Sequence, residues 1–134
     1  MASLTFLDTN VLAYAYDRGQ PAKQARAIET IQSVDRAVVS TQVMLELFSV
    51  LTRKLRVSPT QAQTAIDDLM NLEVVPSDAR LVRSSIALSI SDGISHWDAM
   101  VVLAASRAGC EVLMTEDLQD GRMIEGVRVV NPFT

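Results

Sequence analysis

The sequence predicts an α/β protein, a three-layer α/β/α sandwich built around a parallel sheet of five strands. Two observations carry this. Short apolar runs of strand length alternate along the chain with segments of helical periodicity, the pattern of parallel strands joined by helical crossovers. The first run is apolar on both faces, as a strand covered by helices on either side must be. No repeat, low-complexity tract or linker interrupts the sequence, so residues 1–134 are expected to form one domain.

The first strand is Leu4–Leu7, and it ends abruptly in Asp8. A short helix follows from Thr9 or Asn10 to Tyr16 and stops at Asp17-Arg18-Gly19. Pro21 suits a first helical turn and opens a second helix to about Ser33. Ala37-Val38-Val39 is the second strand, and Ser40 the N-cap of a helix from Thr41 to about Leu55. Ser58-Pro59-Thr60-Gln61 is a capping box that opens a helix to about Leu72. Glu73-Val74-Val75 is the third strand. Ser77 is expected to cap a helix to Ser91, stopped by Asp92-Gly93. Ser95 caps the helix His96–Ala108, with Gly109 as its stop. Strands four and five are Glu111–Met114 and Val127–Val130.

A chain of 134 residues, 49% of them hydrophobic, buries roughly two-thirds of its unfolded surface. A full core follows, and disorder is excluded. The one cysteine, Cys110, has no partner for an internal disulfide and reads as a small core residue in a reducing compartment. No apolar run approaches the ~20 residues that span a bilayer. Met1-Ala2-Ser3 lacks the basic start of a signal peptide, so a cytoplasmic location is expected. The net charge of −4 argues against coating nucleic acid by bulk electrostatics, but not against an enzyme that cuts it.

Function is sought at the carboxyl ends of the strands, where an open α/β sheet places its chemistry. Asp8 stands there by spacing alone, although an acid after a strand also serves as a turn former or N-cap. Glu46 lies on the flank of the apolar stripe Val43, Leu47, Leu51, in a helix that starts after the second strand near the same edge. Asp98 is the third residue of its helix, where a carboxylate gains from the dipole. It also leads an apolar face of Val101, Val102 and Ala105, and a carboxylate there is costly to desolvate without a cation or several donors.

The run from Thr115 to Gly121 follows strand four at once and contains Glu116, Asp117 and Asp120. Such a run is commonly a surface loop; if one of its acids joins the site, Asp117 is the choice, with Glu116 and Asp120 as competitors. Oxygen donors without thiolate or imidazole point to Mg2+ or Mn2+ rather than zinc. Acids with no dedicated protein nucleophile suit a metal-activated water that attacks a phosphodiester.

Among the remaining residues, His96 is expected to be solvated and Trp97 to anchor the core or an interface. The cluster Arg53-Lys54-Leu55-Arg56 complements a helix terminus, and is also the densest basic group available for RNA phosphates.

Three blocks resemble the PIN-domain nucleases, specifically small toxins of the VapC type: Leu7-Asp8-Thr9-Asn10-Val11-Leu12, Ser40 through Glu46-Leu47, and Trp97-Asp98-Ala99-Met100-Val101-Val102 followed by Thr115 through Gly121. The end, Val129-Val130-Asn131-Pro132-Phe133, is similar to one subgroup. The resemblance implies a five-stranded parallel sheet and a Mg2+- or Mn2+-dependent endoribonuclease. It further implies a homodimer held inactive by a cognate antitoxin. Asp8, Glu46, Asp98 and Asp117 match its acidic quartet, and Asn10 and Thr115 match positions that orient the acids or a water. Two other functions stay open: a PIN nuclease of RNA processing that is not a toxin, and a module that binds RNA or protein without cutting. A phospho-acceptor domain is disfavoured because no lysine follows strand five.

Overall fold

The computed structural model describes residues 3–134; Met1 and Ala2, counted in the expected domain, lie outside the described residues. Its middle strand is β1 (Leu4–Leu7), where Phe6 and Leu7 are fully buried. Side chains of that size contribute about 1.5–3 kcal/mol each when removed from water. β1 pairs in parallel with β2 (Arg36–Ser40) on one side and β4 (Val112–Met114) on the other. β3 (Glu73–Val75) extends the sheet beyond β2, and β6 (Val127–Val130) extends it beyond β4, both in parallel. The edge is a two-residue strand, β5 (Met123–Ile124), antiparallel to β6.

The order is therefore β3-β2-β1-β4-β6-β5. The early strands grow outward on one side of β1 and the late strands on the other, so the order reverses between β1 and β4. That reversal opens a crevice outside their carboxyl ends.

Helices fill both faces. One group is α1 (Thr9–Tyr14), α2 (Pro21–Ser33), α3 (Thr41–Ser49) and α4 (Pro59–Leu69). In it α1 packs on α2 and α3, and α3 on α4. The other is α5 (Ala79–Asp92) with α6 (His96–Arg107), which pack on each other while α6 lies against β2, β4 and β6. Val11, Val43 and Leu47 come from the first group, Leu51 from the turn that follows α3, and Ala99, Val102, Ala104 and Ala105 from the second. All are buried against the sheet core of Phe6, Val38, Leu113 and Val129. The alanines let α6 approach closely.

Local chemistry sets the helix starts. The hydroxyls of Ser40, Ser58 and Ser95 accept from the N–H groups of Val43, Gln61 and Asp98 at 3.3, 3.2 and 3.0 Å, each satisfying a donor the helix leaves free. Cys110 is buried, and burial, with Glu73 adding, pushes its thiol up to about 12; it is a core residue as expected. Among the described residues no helix is long and apolar enough to cross a membrane.

Four details depart from expectation. The sheet has six strands because β5 is added; its two residues are too short for a periodic signal. The Glu125-Gly126 loop that joins β5 to β6 has both residues at positive φ, 51° and 78°, as a two-residue hairpin of matching twist requires. The helix expected from Thr41 to Leu55 is α-helical only to Ser49, and Val50–Lys54 widens into a π-turn. Leu55 N–H donates to Val50 O at 3.0 Å, five residues back. Asp78, not Ser77, caps α5: its carboxylate accepts from Leu81 N–H at 2.8 Å, while Ser77 N–H is taken by Thr41 Oγ1 at 3.0 Å. Finally, of the two anchoring roles expected for Trp97, its 57% exposure excludes the one in the core.

Candidate metal centre

Asp8 follows β1 and Thr115 follows β4, so the switch between these strands places them side by side. Backbone bonds lock the registration. Asp8 N–H donates to Met114 O and Thr115 N–H to Val130 O, each at 3.1 Å. Asp8 is only 4% exposed and accepts at both oxygens, from Thr9 N–H at 2.7 Å and from the Thr115 hydroxyl at 2.8 Å.

Thr115 is itself fully buried and saturated. It donates its one proton to Asp8 and accepts from Asn10 Nδ2 at 3.2 Å and Asp117 N–H at 3.1 Å. Its hydroxyl has one donor and two acceptor positions, so no lone pair is free for a proton on that oxygen of Asp8. The network favours the carboxylate. Burial opposes it: desolvation, with Asp117 and Glu46 adding, pushes the Asp8 carboxyl up from 3.8 to about 7, against the pull of Thr115 and Thr9. A cation beside Asp8 would meet both demands together.

The other acids stand around this centre. Glu46, half-buried on α3, accepts from Thr9 Oγ1 at 3.0 Å and from Gln42 Nε2 at 2.9 Å. Asp117 accepts from Asn10 Nδ2 at 3.0 Å. Asp98, half-buried at the start of α6, has its carboxyl raised by burial, with Asp117 and Glu46 contributing. Asp8 and Asp98 thus feel the same two charges.

The competing acids of the loop are engaged elsewhere. Glu116 is held by Lys23 Nζ at 3.0 Å and by the Tyr14 hydroxyl at 2.8 Å. The ammonium also lies 4.6 Å from the Tyr14 ring centre, and Phe133 meets that ring edge-on at 4.9 Å. Asp120 accepts from Asn131 N–H at 2.8 Å, away from the Asp8 network. Glu116 N–H donates to Asn10 Oδ1 at 3.3 Å, but of the three carboxylates only that of Asp117 is bonded into the network.

Donor chemistry fits a hard divalent cation. Asp8, Glu46, Asp98 and Asp117 have no Lys, Arg or His in ion-pair contact among the described residues. Their hydrogen-bond partners are neutral, so the local negative charge is uncompensated. No three carboxylate, imidazole or thiol groups among the described residues stand at ligating distance of one another. Closing them on a cation therefore requires side-chain rotation, and the fit rests on the donor set rather than on a finished cage.

Thr9, Gln42, Tyr14 and Lys23 were not anticipated from the sequence. Gln42 had a readable signal, because it precedes Glu46 by four residues on one helix face. The Lys23–Glu116 pair joins α2 to the loop after β4 and had none.

Fold and site together define a class: a parallel α/β/α protein with uncompensated acids at its topological switch. The family model of the PIN domain matches residues 5–120, and the chain belongs to the PIN domain family. No curated protein sequence matches the chain. Among solved structures, it is similar to a toxin–antitoxin complex from Klebsiella pneumoniae. The two share 22% identity over 96% of this chain and 97% of that one, with a TM-score of 0.72. VapC20 of Mycobacterium tuberculosis, a sarcin-ricin loop cleaving toxin, shares 17% identity over 81% and 86%, TM-score 0.67. A DNA-bound VapBC from Salmonella typhimurium shares 21% over 96% and 97%, TM-score 0.64. At these identities the likeness establishes the shared fold.

Proposed function

We propose that this protein is a Mg2+- or Mn2+-dependent endoribonuclease acting as the toxin of a toxin–antitoxin pair. The observation that carries the reading is Asp8, a buried carboxylate at the switch point that accepts at both oxygens and is in no ion pair among the described residues. Asp8 and Asp98 are the principal ligands, and Glu46 and Asp117 complete the set. A bound cation supplies Lewis acidity and lowers the pKa of a water able to attack a phosphodiester.

The chain's own residues prepare for this. Thr115 directs its proton at Asp8 and so keeps a lone pair of that carboxylate oriented. Asn10 bridges Thr115 and Asp117, which ties the loop after β4 to the start of α1. Thr9 and Gln42 hold Glu46 toward the same edge with neutral donors, leaving its charge undiminished. Lys23 neutralises Glu116, whose charge would otherwise add to the repulsion at the phosphate.

The toxin assignment, the cognate antitoxin and the homodimer rest on membership in the PIN family and on likeness to the toxin–antitoxin complexes. A cytoplasmic location belongs to the same reading. The test is cleavage of a mixed cellular RNA pool by purified protein with Mg2+, Mn2+ or EDTA, beside Asp8→Asn and Asp98→Asn. Metal-dependent cutting that both substitutions abolish supports the proposal. Wild type that cuts no better than the variants overturns it.

A further inference from the structure

The π-turn Val50–Lys54 does something the metal centre does not use. Turns of this kind occur mostly as single local insertions in helices, frequently at functional sites. This one is followed by Arg56 at φ 58°, a left-handed conformation that a long non-glycine side chain adopts only where its surroundings enforce it. Leu55 N–H to Val50 O at 3.0 Å and Val57 N–H to Leu51 O at 2.8 Å provide that enforcement, and Leu51 is buried.

Beside this turn lie two adjoining cavities that share a wall and form one groove. A cavity of about 250 Å3 opens on Glu46 and Asp117 and is walled by Ala13, Tyr14, Val50 and Leu55. Lys54, Leu55 and Asp17 also line a second cavity of about 750 Å3, which adds Arg18 and Arg56. Arg53 lines neither, so of the basic cluster at 53–56 only Lys54 and Arg56 face the groove.

Lys23, Arg26, Arg36, Arg107 and Arg122 each pair with an acid. Seven of the twelve cations, Arg18, Arg53, Lys54, Arg56, Arg80, Arg83 and Arg128, are in no ion pair among the described residues, on a chain whose net charge is −4. Three of them, Arg18, Lys54 and Arg56, gather at this groove. The two cavities thus run from Glu46 and Asp117, past Asp17 and Lys54 which line both, to Arg18 and Arg56.

We infer that this groove is the track of single-stranded RNA on one side of the cleavage point. A base enters the slot between Tyr14, Val50 and Leu55, and the adjoining phosphates meet Arg18, Lys54 and Arg56. A base must leave the stack to enter such a slot, which selects a single strand over a duplex. The inference rests on the endoribonuclease reading and adds to it where the substrate lies.

The experiment measures binding separately from cutting. A fluorescent, unstructured RNA oligonucleotide is titrated with full-length protein in EDTA over a salt series. Wild type, the combined Arg18→Gln, Lys54→Gln, Arg56→Gln variant and Arg53→Gln are compared, with melting curves to confirm folding. Cleavage of the same RNA with Mg2+ is followed in parallel.

The combined variant is expected to lose about tenfold or more in affinity, and its salt slope to fall by about 0.7 for each phosphate contact removed. Arg53→Gln is expected to bind as wild type does. If wild type cuts while the combined variant keeps its affinity and slope, the groove assignment is overturned and the nuclease stands. If wild type binds without ever cutting and the combined variant binds poorly, the groove is supported and the nuclease reading fails. Wild type that binds no RNA overturns both.

Discussion

Replacing Asp8 by asparagine separates the cost of the site from its use. In the native chain Asp8 titrates at about 7, against 3.8 for a free side chain. Between those two values the folded protein binds a proton at Asp8 that the unfolded chain has lost. Stability therefore falls as pH rises through this window and levels off above it. The whole interval corresponds to about 4 kcal/mol.

The substituted amide keeps an acceptor facing Thr9 N–H but turns a donor toward the Thr115 hydroxyl. That hydroxyl must surrender one of its own bonds, a loss of about 1–3 kcal/mol. At pH 8 in EDTA, Asp8→Asn is then expected to be more stable than wild type by about 2 kcal/mol, the difference of those two terms. The assay is urea unfolding from pH 4 to pH 8 with EDTA throughout. Wild type should lose stability across the series, and the variant should follow a visibly flatter line. Magnesium at 100 times its dissociation constant should then restore about 2.7 kcal/mol to wild type and nothing to the variant. Parallel pH profiles, or an equal response to magnesium, would refute the argument that Asp8 is an ionisable centre awaiting a cation.

Asp117→Asn should lower RNA cleavage by about a hundredfold or more, as loss of a ligand does. Asp120→Asn should leave the rate within a few-fold of wild type, because its carboxylate caps Asn131 N–H; steady-state cleavage rates compare them. Gln42→Ala frees one oxygen of Glu46 and should raise the Mg2+ concentration for half-maximal cleavage about tenfold, the lower end for a residue behind a ligand. Leu47→Ala removes a 1%-exposed core side chain and should cost about 2–5 kcal/mol in urea unfolding.

The layout was legible because its signals are local and repeated. Leu4–Leu7 and Val127–Val130 are apolar runs of strand length, and Ser40, Ser58 and Ser95 announce helix starts by chemistry within one turn. Asp8, Glu46, Asp98 and Asp117 could be nominated because strand ends and helix faces are one-dimensional features. What escaped depends on partners distant in sequence. Thr41 takes Ser77 N–H and leaves capping to Asp78. The packing of Leu51 and the bonds of Leu55 and Val57 open the π-turn, although propensity alone favours an unbroken helix. Glu116 competed with Asp117 on sequence alone, and what engages it is Lys23, 93 residues away.

The order of the crossovers also acts as a clock. Asp8 and Glu46 are made early, but the strand that registers Thr115 and Asp117 is β4, itself held by β6 near the end of the chain. Proteins emerge from the ribosome amino end first and fold as their elements become available. A chain still being synthesised can hold Asp8, Glu46 and Asp98 before the strand that brings in Thr115 and Asp117 has been made. Under the proposed function, each copy therefore gains its activity only once β4 and β6 have been made and paired.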